Sequence, residues 1–386
     1  MNLIFGKEKS FVEFVSNLNE KDRIAILAHH DTDGMVSAIL AANSIGNPEF
    51  IEFFEYKKDL LLDIIPELKK SKINKLVCLD LNVENEADNL KRLEKFADSV
   101  KPDAFPDYKK VLLNFQVPQK PLKFLATPKP IKGFADILII DHHRSSRDLN
   151  SLKTTYLLFE KGDCAAFACY NLFSKFQSME KFDLLTAIAL VSDYGFQTNM
   201  DFILRIEKKY GLMPDKVMWE SEIGKLTKMI INVCIYFKDE LKKLFEMLNR
   251  ATSLEEIKKL EKYSFEVEKE IQKKQEEYFK KRETYDWGYL YEVKSKFSIE
   301  GILINRVSDI EKSKLVVIYG ERSQNLIKIS ARRQDGKLDC SEVLKKAIEG
   351  LKDASAGGHI PAAGAEVRKE DIEKFKDNLK RVMGSK

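Results

Sequence analysis

The sequence is poor in cysteine, in tryptophan and in long apolar runs. Its five cysteines among 386 residues form no CxxC pair, so neither a disulfide framework nor a thiolate zinc site is indicated. No stretch of about 18 apolar residues runs without a charge, and the N-terminal segment mixes charged and apolar side chains. We therefore predict no membrane span and no signal peptide, and we expect a protein of the reducing cytoplasm.

The sequence also has no large excess of positive or negative charge. Lysine and arginine number 65 against 61 aspartates and glutamates, a formal net charge of +4. Because phosphate recognition depends on local basic clusters, this balance neither indicates nor excludes a nucleic-acid ligand. Apolar residues make up 44% and charged residues 33% of the chain. This composition predicts a well-packed protein, and the length allows two domains of about 150 residues or more.

Short apolar runs alternate with helix-like segments from residue 22 onward. This alternation is typical of βαβ units and predicts an α/β domain with a parallel sheet. The amphipathic segments Met35–Ile45 and Glu84–Phe96 are the expected crossover helices. The predicted strands are Ile24–Ala28, Phe50–Tyr56, Lys75–Leu81, Ala135–Asp141 and Tyr156–Glu160.

The remaining sequence predicts a long loop, a helical segment and a smaller α/β domain. The proline-rich and lysine-rich segment Lys101–Lys132 predicts the loop. The predicted helices are Glu222–Asn249 and Leu254–Arg282, followed by the strands Gly288–Val293, Leu315–Tyr319 and Leu326–Ala331 and the helices Ser341–Leu351 and Lys369–Val382 around a glycine-rich loop. We place the domains at residues 1–210, 211–284 and 285–386, the middle one a helical linker or interaction segment.

All five histidines fall at three places. His29 and His30 follow the first predicted strand, His142 and His143 follow the fourth, and His359 lies in the glycine-rich loop. Aspartates accompany the first two pairs, and further aspartates end other apolar segments at Asp80 and Asp193. Because ligands bind at the carboxyl ends of parallel strands, we expect these side chains to meet in one pocket.

Carboxylates and imidazoles without thiolates form a hard to borderline ligand set. Such a set favours Mn²⁺ or Mg²⁺ over a structural zinc ion, and the residues suffice for two ions. Two ions about 4 Å apart can activate a bridging water and stabilise the attacking and leaving oxygens at phosphorus. Hydrolysis of a phosphoester is the reaction that this chemistry predicts.

The motifs resemble those of the DHH phosphoesterases, in particular the archaeal RecJ-like exonucleases and the nanoRNase-like oligonucleotidases. The resemblance rests on His29-x-Asp31-x-Asp33-Gly34, Asp80, Asp141-His142-His143 and Asp193, and it extends over nearly the whole chain. It implies that His29, Asp31, Asp80 and Asp193 hold one Mn²⁺ ion. It also implies that Asp33, Asp80 and His142 hold a second ion, with Asp80 bridging the two.

The resemblance also assigns roles outside the ligand set. Asp141 would orient the neighbouring imidazole, and His143 would reach the scissile phosphate. Gly357-Gly358-His359 is similar to the glycine-histidine motif of the DHH-associated domain, which binds substrate, and Asn305 and Arg332 would contact phosphates there. His30 departs from the pattern and is either a ligand in place of His29 or a substrate contact.

The function that the resemblance implies is an exonuclease on single-stranded DNA or RNA, acting from 3′ to 5′ in repair or replication. An oligonucleotidase or cyclic-dinucleotide phosphodiesterase is the enzymatic alternative. A non-catalytic replication or repair scaffold is the other, because a relative in the eukaryotic replicative helicase is inactive. The expected partners are single-stranded nucleic acid and a repair helicase or replisome protein. The apolar stripe of the helical segment is expected to pack on a neighbouring element of the chain, and the alternative is an exposed stripe that forms a homo-oligomer or a partner interface.

Overall fold

A computed structural model describes residues 2–46, 48–55, 60–84, 87–97, 136–160, 162–323 and 325–384. The predicted loop Lys101–Lys132 lies outside these residues. Among the helices of the described residues, none has the length and apolar character needed to cross a membrane. The chain forms two compact units, one up to Glu261 and the other from Lys262 onward.

The first unit is built on a six-stranded sheet. Its strands are β1 (Leu3–Phe5), β2 (Ile24–His29), β3 (Phe50–Phe54), β4 (Lys75–Leu79), β5 (Asp136–Asp141) and β6 (Thr154–Phe159). The strand order is β1-β6-β5-β4-β2-β3, and all neighbours are parallel except the pair of β1 and β6. The parallel sheet predicted from the apolar runs is therefore present, and β1 is an additional antiparallel edge strand.

Ten α-helices in the described part of this unit accompany the sheet. They are α1 (Glu8–Ser16), α2 (Thr32–Ile45), α3 (Leu60–Lys70), α4 (Ala87–Ala97), α5 (Ala165–Phe173), α6 (Asp183–Ser192), α7 (Met200–Tyr210), α8 (Glu222–Tyr236), α9 (Leu241–Arg250) and α10 (Leu254–Lys258). The predicted helix Glu222–Asn249 is divided into α8 and α9. Ser253 begins α10 with a capping box, in which its hydroxyl accepts the amide of Glu256.

The centre of the first sheet is buried on both faces. Residues Ala25 to Ala28 of β2 and Val77 to Leu79 of β4 are fully buried. A strand buried on both faces has a continuous apolar sequence, which is why the sequence pattern located these strands. The order of the strands reverses between β2 and β4, so the two strands flank a topological switch point.

The second unit contains another six-stranded sheet, of order β11-β12-β10-β9-β8-β7. Its elements are α11 (Glu261–Lys281, whose first residue belongs to the first unit), β7 (Glu283–Tyr285), β8 (Gly288–Glu292), α12 (Glu300–Ile310), β9 (Leu315–Ser323), β10 (Leu326–Arg332), α13 (Cys340–Ala347), β11 (Ser355–His359), β12 (Ala362–Arg368) and α14 (Ile372–Gly384). The helix predicted over Leu254–Arg282 is thus α10 and α11, divided near the boundary of the units.

The prediction of a glycine-rich loop around His359 was wrong. Gly357, Gly358 and His359 belong to strand β11, which pairs with β12 as an antiparallel hairpin. Gly358 has φ +140°, and an added Cβ would lie 2.5 Å from the carbonyl oxygen of Ala362. The close pairing of the two strands therefore requires glycine at this position. The low strand propensity of glycine had instead suggested a loop.

Burial of the central strand predicts a large effect of Ile26→Ala on stability. The fully buried side chain of Ile26 lies in β2, and its truncation is expected to lower the free energy of unfolding by about 2–5 kcal/mol. Val12→Ala on the exposed part of α1 is the control and should change it by about 0.5 kcal/mol or less. Urea denaturation followed by circular dichroism measures both, and equal midpoints would contradict this account of the core.

Candidate metal centre

Three of the predicted site residues lie at the ends of strands that end at one level. In the register of the sheet, Ala28 of β2 pairs with Leu79 of β4, and Leu79 pairs with Ile140 of β5. The next residue on each strand is His29, Asp80 or Asp141. The parallel strands therefore bring these three side chains to one edge of the sheet. In the sequence, the first and the last of them are 112 positions apart (141 − 29).

The backbone turns sharply at Asp80. This residue has φ +56°, a left-handed conformation that few residues other than glycine, asparagine and aspartate adopt. Its amide still donates a hydrogen bond to the carbonyl oxygen of Ile140 at 3.0 Å. The turn keeps the carboxylate, which is only 1% exposed, at the end of β4.

The first turn of α2 supplies two more carboxylates. Asp31 caps the helix and accepts the amide of Gly34 at 3.0 Å, and Asp33 lies within the first turn. An added Cβ at Gly34 would lie 2.2 Å from the carbonyl oxygen of His29. The glycine of this motif therefore allows α2 to begin directly against the end of β2.

Asp33 is held in place by backbone amides that the sequence analysis did not identify. Its two carboxylate oxygens accept the amides of Ala165 and Ala166, each at 2.8 Å. These amides belong to the N-terminus of α5, where backbone donors are not used within the helix. Sequence reasoning missed them because they come from alanines, whose side chains carry no chemical signal.

The side chains form three groups in which each residue offers a ligand atom within 4.8 Å of the others. The groups are His29 with Asp31 and Asp80, Asp33 with His142 and Asp193, and Asp80 with His142 and His143. Asp193, which follows α6, therefore stands with Asp33 and His142, whereas the resemblance had placed it with His29 and Asp31. Asp80 belongs to two groups and lies between them.

Individual distances have the scale of neighbouring ligands around one ion. The Nε2 atom of His142 lies 3.1 Å from a carboxylate oxygen of Asp193 and 3.2 Å from one of Asp80. The Nδ1 atom of His29 lies 3.0 Å from Asp31 and 3.6 Å from the other oxygen of Asp80. Adjacent ligands of an octahedral ion at 2.0–2.1 Å are about 3 Å apart. The donor set and its spacing thus fit two divalent ions with Asp80 between them.

Electrostatics also favour cations at this position. Burial and the carboxylates of Asp80 and Asp193 raise the pKa of Asp33 well above its usual range. Burial opposes the charge on His142, but hydrogen bonds to Asp193 and Asp80 outweigh it and raise its pKa to about 12. The pKa of His29 rises to about 10, because Asp31 and Asp80 likewise outweigh burial. The same carboxylates that favour a proton on these imidazoles would favour a divalent cation.

Asp141 pairs with His143, which is itself a member of the group that contains Asp80 and His142. The Oδ1 atom of Asp141 lies 2.8 Å from the Nδ1 atom of His143 and accepts the amides of His142 and His143. Asp141 is buried, so the carboxylate holds the His143 ring in a defined orientation. The Nε2 atom of His143 takes no part in this bond.

His30 makes a different contact from its neighbour. Its Nδ1 atom lies 3.1 Å from the carbonyl oxygen of Phe54 at the end of β3. Burial and the adjacent His29 lower its pKa. Within the described residues, His30 is absent from the three groups that could hold a metal.

The remaining predicted residues lie in the second unit. Asn305 is on α12 and Arg332 ends β10, and the Nε atom of Arg332 donates to the side-chain oxygen of Asn305 at 3.2 Å. Arg332 also donates to the carbonyl oxygens of Ala331 and Ala363, while no carboxylate of the described residues pairs with it. Burial lowers the pKa of Arg332. Gly357, Gly358 and His359 are exposed on the edge strand β11.

Comparisons with known proteins agree with this architecture. Residues 289–385 match the DHHA1 domain. The structure is similar to an exonuclease RecJ bound to manganese, with a TM-score of 0.65 and 14% identity over 98% of this chain and 94% of that chain. No curated protein sequence matches the chain.

Two further solved structures share the fold. A RecJ from Thermus thermophilus in complex with Mn²⁺ aligns with a TM-score of 0.61 and 14% identity, over 98% of this chain and 55% of that chain. Cdc45 from Entamoeba histolytica aligns with a TM-score of 0.58 and 9% identity, over 97% and 98% of the two chains. These findings confirm the predicted mixed α/β fold with DHH and DHHA1 domains.

The raised pKa values predict that metal binding releases protons. At pH 8 the rings of His29 and His142 hold their protons in the metal-free protein, because their pKa values are about 10 and about 12. Metal ligation requires unprotonated rings, so titration with Mn²⁺ should release about two protons or more, and affinity should increase from pH 7 to pH 9.

Calorimetry in buffers with different ionisation enthalpies counts these protons. His359→Ala, in the second unit, is the control and should leave the count unchanged. A binding heat that is the same in all buffers would show that the ring protons are not displaced.

Proposed function

From this fold and its DHHA1 domain, we propose that the chain is a two-metal exonuclease that hydrolyses phosphodiester bonds of single-stranded DNA or RNA. The observation that carries the proposal is the position of Asp80, whose two oxygens face separate groups of ligands. A carboxylate placed between two ions can hold both at the short separation that two-metal phosphoryl chemistry uses. The similarity to exonucleases named RecJ supports the same reaction class.

Two of the three groups, with Asp80 added to the second, suggest which residues would hold each ion. His29, Asp31 and Asp80 would hold one Mn²⁺ or Mg²⁺ ion, and Asp33, His142, Asp193 and Asp80 would hold the other. When bound, such ions activate a water molecule and stabilise negative charge on the phosphoryl oxygens. The amides of Ala165 and Ala166 keep Asp33 in place for this role.

His143 is suited to contact the scissile phosphate. Asp141 fixes one nitrogen of its ring, and the side chain is 31% exposed. The other nitrogen can then donate to a phosphoryl oxygen as negative charge develops there. Asp141 acts through His143 and is a positioning residue.

Arg332 and Asn305 are proposed to bind a phosphate of the substrate strand. The guanidinium of Arg332 is surrounded by neutral oxygen acceptors, so its charge is available for a phosphate. The Gly357-Gly358-His359 edge would add contacts to the strand end. We propose digestion from 3′ to 5′, in DNA repair or replication, with a repair helicase or replisome protein as a partner.

A long single strand labelled at its 5′ end tests the reaction. With Mn²⁺, the proposal predicts a ladder that shortens from the 3′ end, and EDTA should abolish it. Asp80→Asn and His142→Ala are expected to lower the rate by about a hundredfold or more without unfolding, because each removes a ligand. Asp201→Asn, an exposed carboxylate on α7, is the matched control and should retain full activity.

The same assay distinguishes the alternatives. Immediate release of a labelled mononucleotide would reverse the polarity, and a higher rate on dinucleotides would favour an oligonucleotidase. The similarity to Cdc45 favours a scaffold as the second candidate. Binding of a single strand without turnover under Mn²⁺ or Mg²⁺ would support the scaffold and contradict the exonuclease.

Arg332→Ala is predicted to weaken substrate binding. Loss of one charged hydrogen-bond donor should raise KM about tenfold to a hundredfold. Arg333→Ala is a matched control, because Asp335 already pairs with that guanidinium at 2.8 and 3.0 Å. Steady-state kinetics on a short single strand measure both variants, and equal KM values would exclude Arg332 from the substrate site.

A further inference from the structure

An exposed tyrosine directly follows a candidate metal ligand. Tyr194 is the residue after Asp193, and its side chain is 56% exposed. Consecutive Cα atoms are only about 3.8 Å apart, so the side chain of Tyr194 leaves the backbone next to that of Asp193. An exposed aromatic ring at this place offers a flat apolar surface to a ligand.

The backbone at Tyr194 is also unusual. Its φ is +59°, a left-handed conformation that is costly for a residue with a bulky side chain. The following residue, Gly195, is packed so closely that an added Cβ would lie 2.4 Å from the side chain of Leu190. The chain therefore turns tightly after α6 and leaves the ring of Tyr194 at the surface.

Two more aromatic rings accompany Tyr194. The ring centroid of Phe196 lies 6.1 Å away with a tilt of 38°, and that of Trp219 lies 5.5 Å away in an edge-to-face arrangement. Both side chains are partly exposed. Edge-to-face contact of this kind holds aromatic rings in position. We call Tyr194, Phe196 and Trp219 the aromatic platform.

Single exposed apolar residues are common on protein surfaces and need no explanation. The aromatic platform differs because three rings are contiguous, one has a strained backbone, and the cluster adjoins a ligand of the metal centre. Backbone strain is found where a particular side-chain position is needed. These observations together favour a ligand with a flat apolar face that lies next to a phosphate.

We infer that the aromatic platform stacks a nucleobase of the strand whose phosphodiester lies at the metal centre. The inference rests on the proposed function and adds the residues that bind the base. Stacking tolerates every base because each has a π-face. The aromatic platform would therefore position the strand without selecting its sequence, as an exonuclease that removes successive nucleotides requires.

Kinetics on paired substrates test the stacking. Tyr194→Ala should raise KM about tenfold for a ten-residue thymidine strand. It should have little effect on a strand of equal length whose 3′-terminal residues are abasic, since these have no base to stack. Tyr194→Phe should restore the low KM, whereas Tyr194→Leu, which is apolar but not aromatic, should not.

Met213→Ala is the matched control for loss of exposed apolar surface. Met213 is 68% exposed in the same unit and is not part of the aromatic platform. It should leave KM for both strands unchanged. An equal rise of KM for both strands in Tyr194→Ala would mean that the tyrosine supports the fold of the site, and would overturn the inference.

Trp219 provides a binding signal that is independent of cleavage. The chain has two tryptophans, and Trp287→Phe leaves Trp219 as the only one. Titration of this variant with the thymidine strand in EDTA should quench its fluorescence, and the abasic strand should quench it less. Quenching without cleavage under Mn²⁺ would keep the aromatic platform and reject the exonuclease. Cleavage without quenching would reject the aromatic platform alone.

Discussion

The metal centre depends on keeping several carboxylates close together out of water. Asp33 and Asp80 are 0% and 1% exposed, and both face His142, with Asp193 at the same imidazole nitrogen. Buried like charges repel strongly, because little solvent screens them. Other features of the site hold these groups in place. Backbone amides of a helix bind Asp33, a left-handed turn positions Asp80, and imidazole rings lie between the carboxylates.

The sheet brings the residues of the site together. His29, Asp80 and Asp141 are far apart in sequence, yet the register of β2, β4 and β5 places them in one row. The strand order reverses between β2 and β4, and ligands of open α/β sheets bind at such a reversal, outside the carboxyl ends of the strands. Gly34 then lets α2 begin against His29, which adds Asp31 and Asp33 to the same row.

The sequence predicted the elements and site residues whose side chains form a recognisable pattern. Buried parallel strands are apolar runs, and the aspartates and histidines at their ends mark the site. It did not predict the clamp on Asp33, because the donors are backbone amides of Ala165 and Ala166. It assigned Gly357 and Gly358 to a loop, since glycine has low strand propensity, whereas pairing with β12 makes them a strand. The predicted domain boundaries and the roles of the site residues stay predictions.

Backbone strain is concentrated at this centre. Of the four described residues other than glycine with positive φ, two are Asp80 and Tyr194, one within the ligand groups and one beside Asp193. Both conformations persist because neighbouring backbone holds them: the amide of Asp80 bonds to Ile140 and that of Tyr194 to Val191. Such residues cost stability of about 1–3 kcal/mol each. The fully buried apolar core of the first unit offsets this cost, so the strained residues of the site depend on that packing.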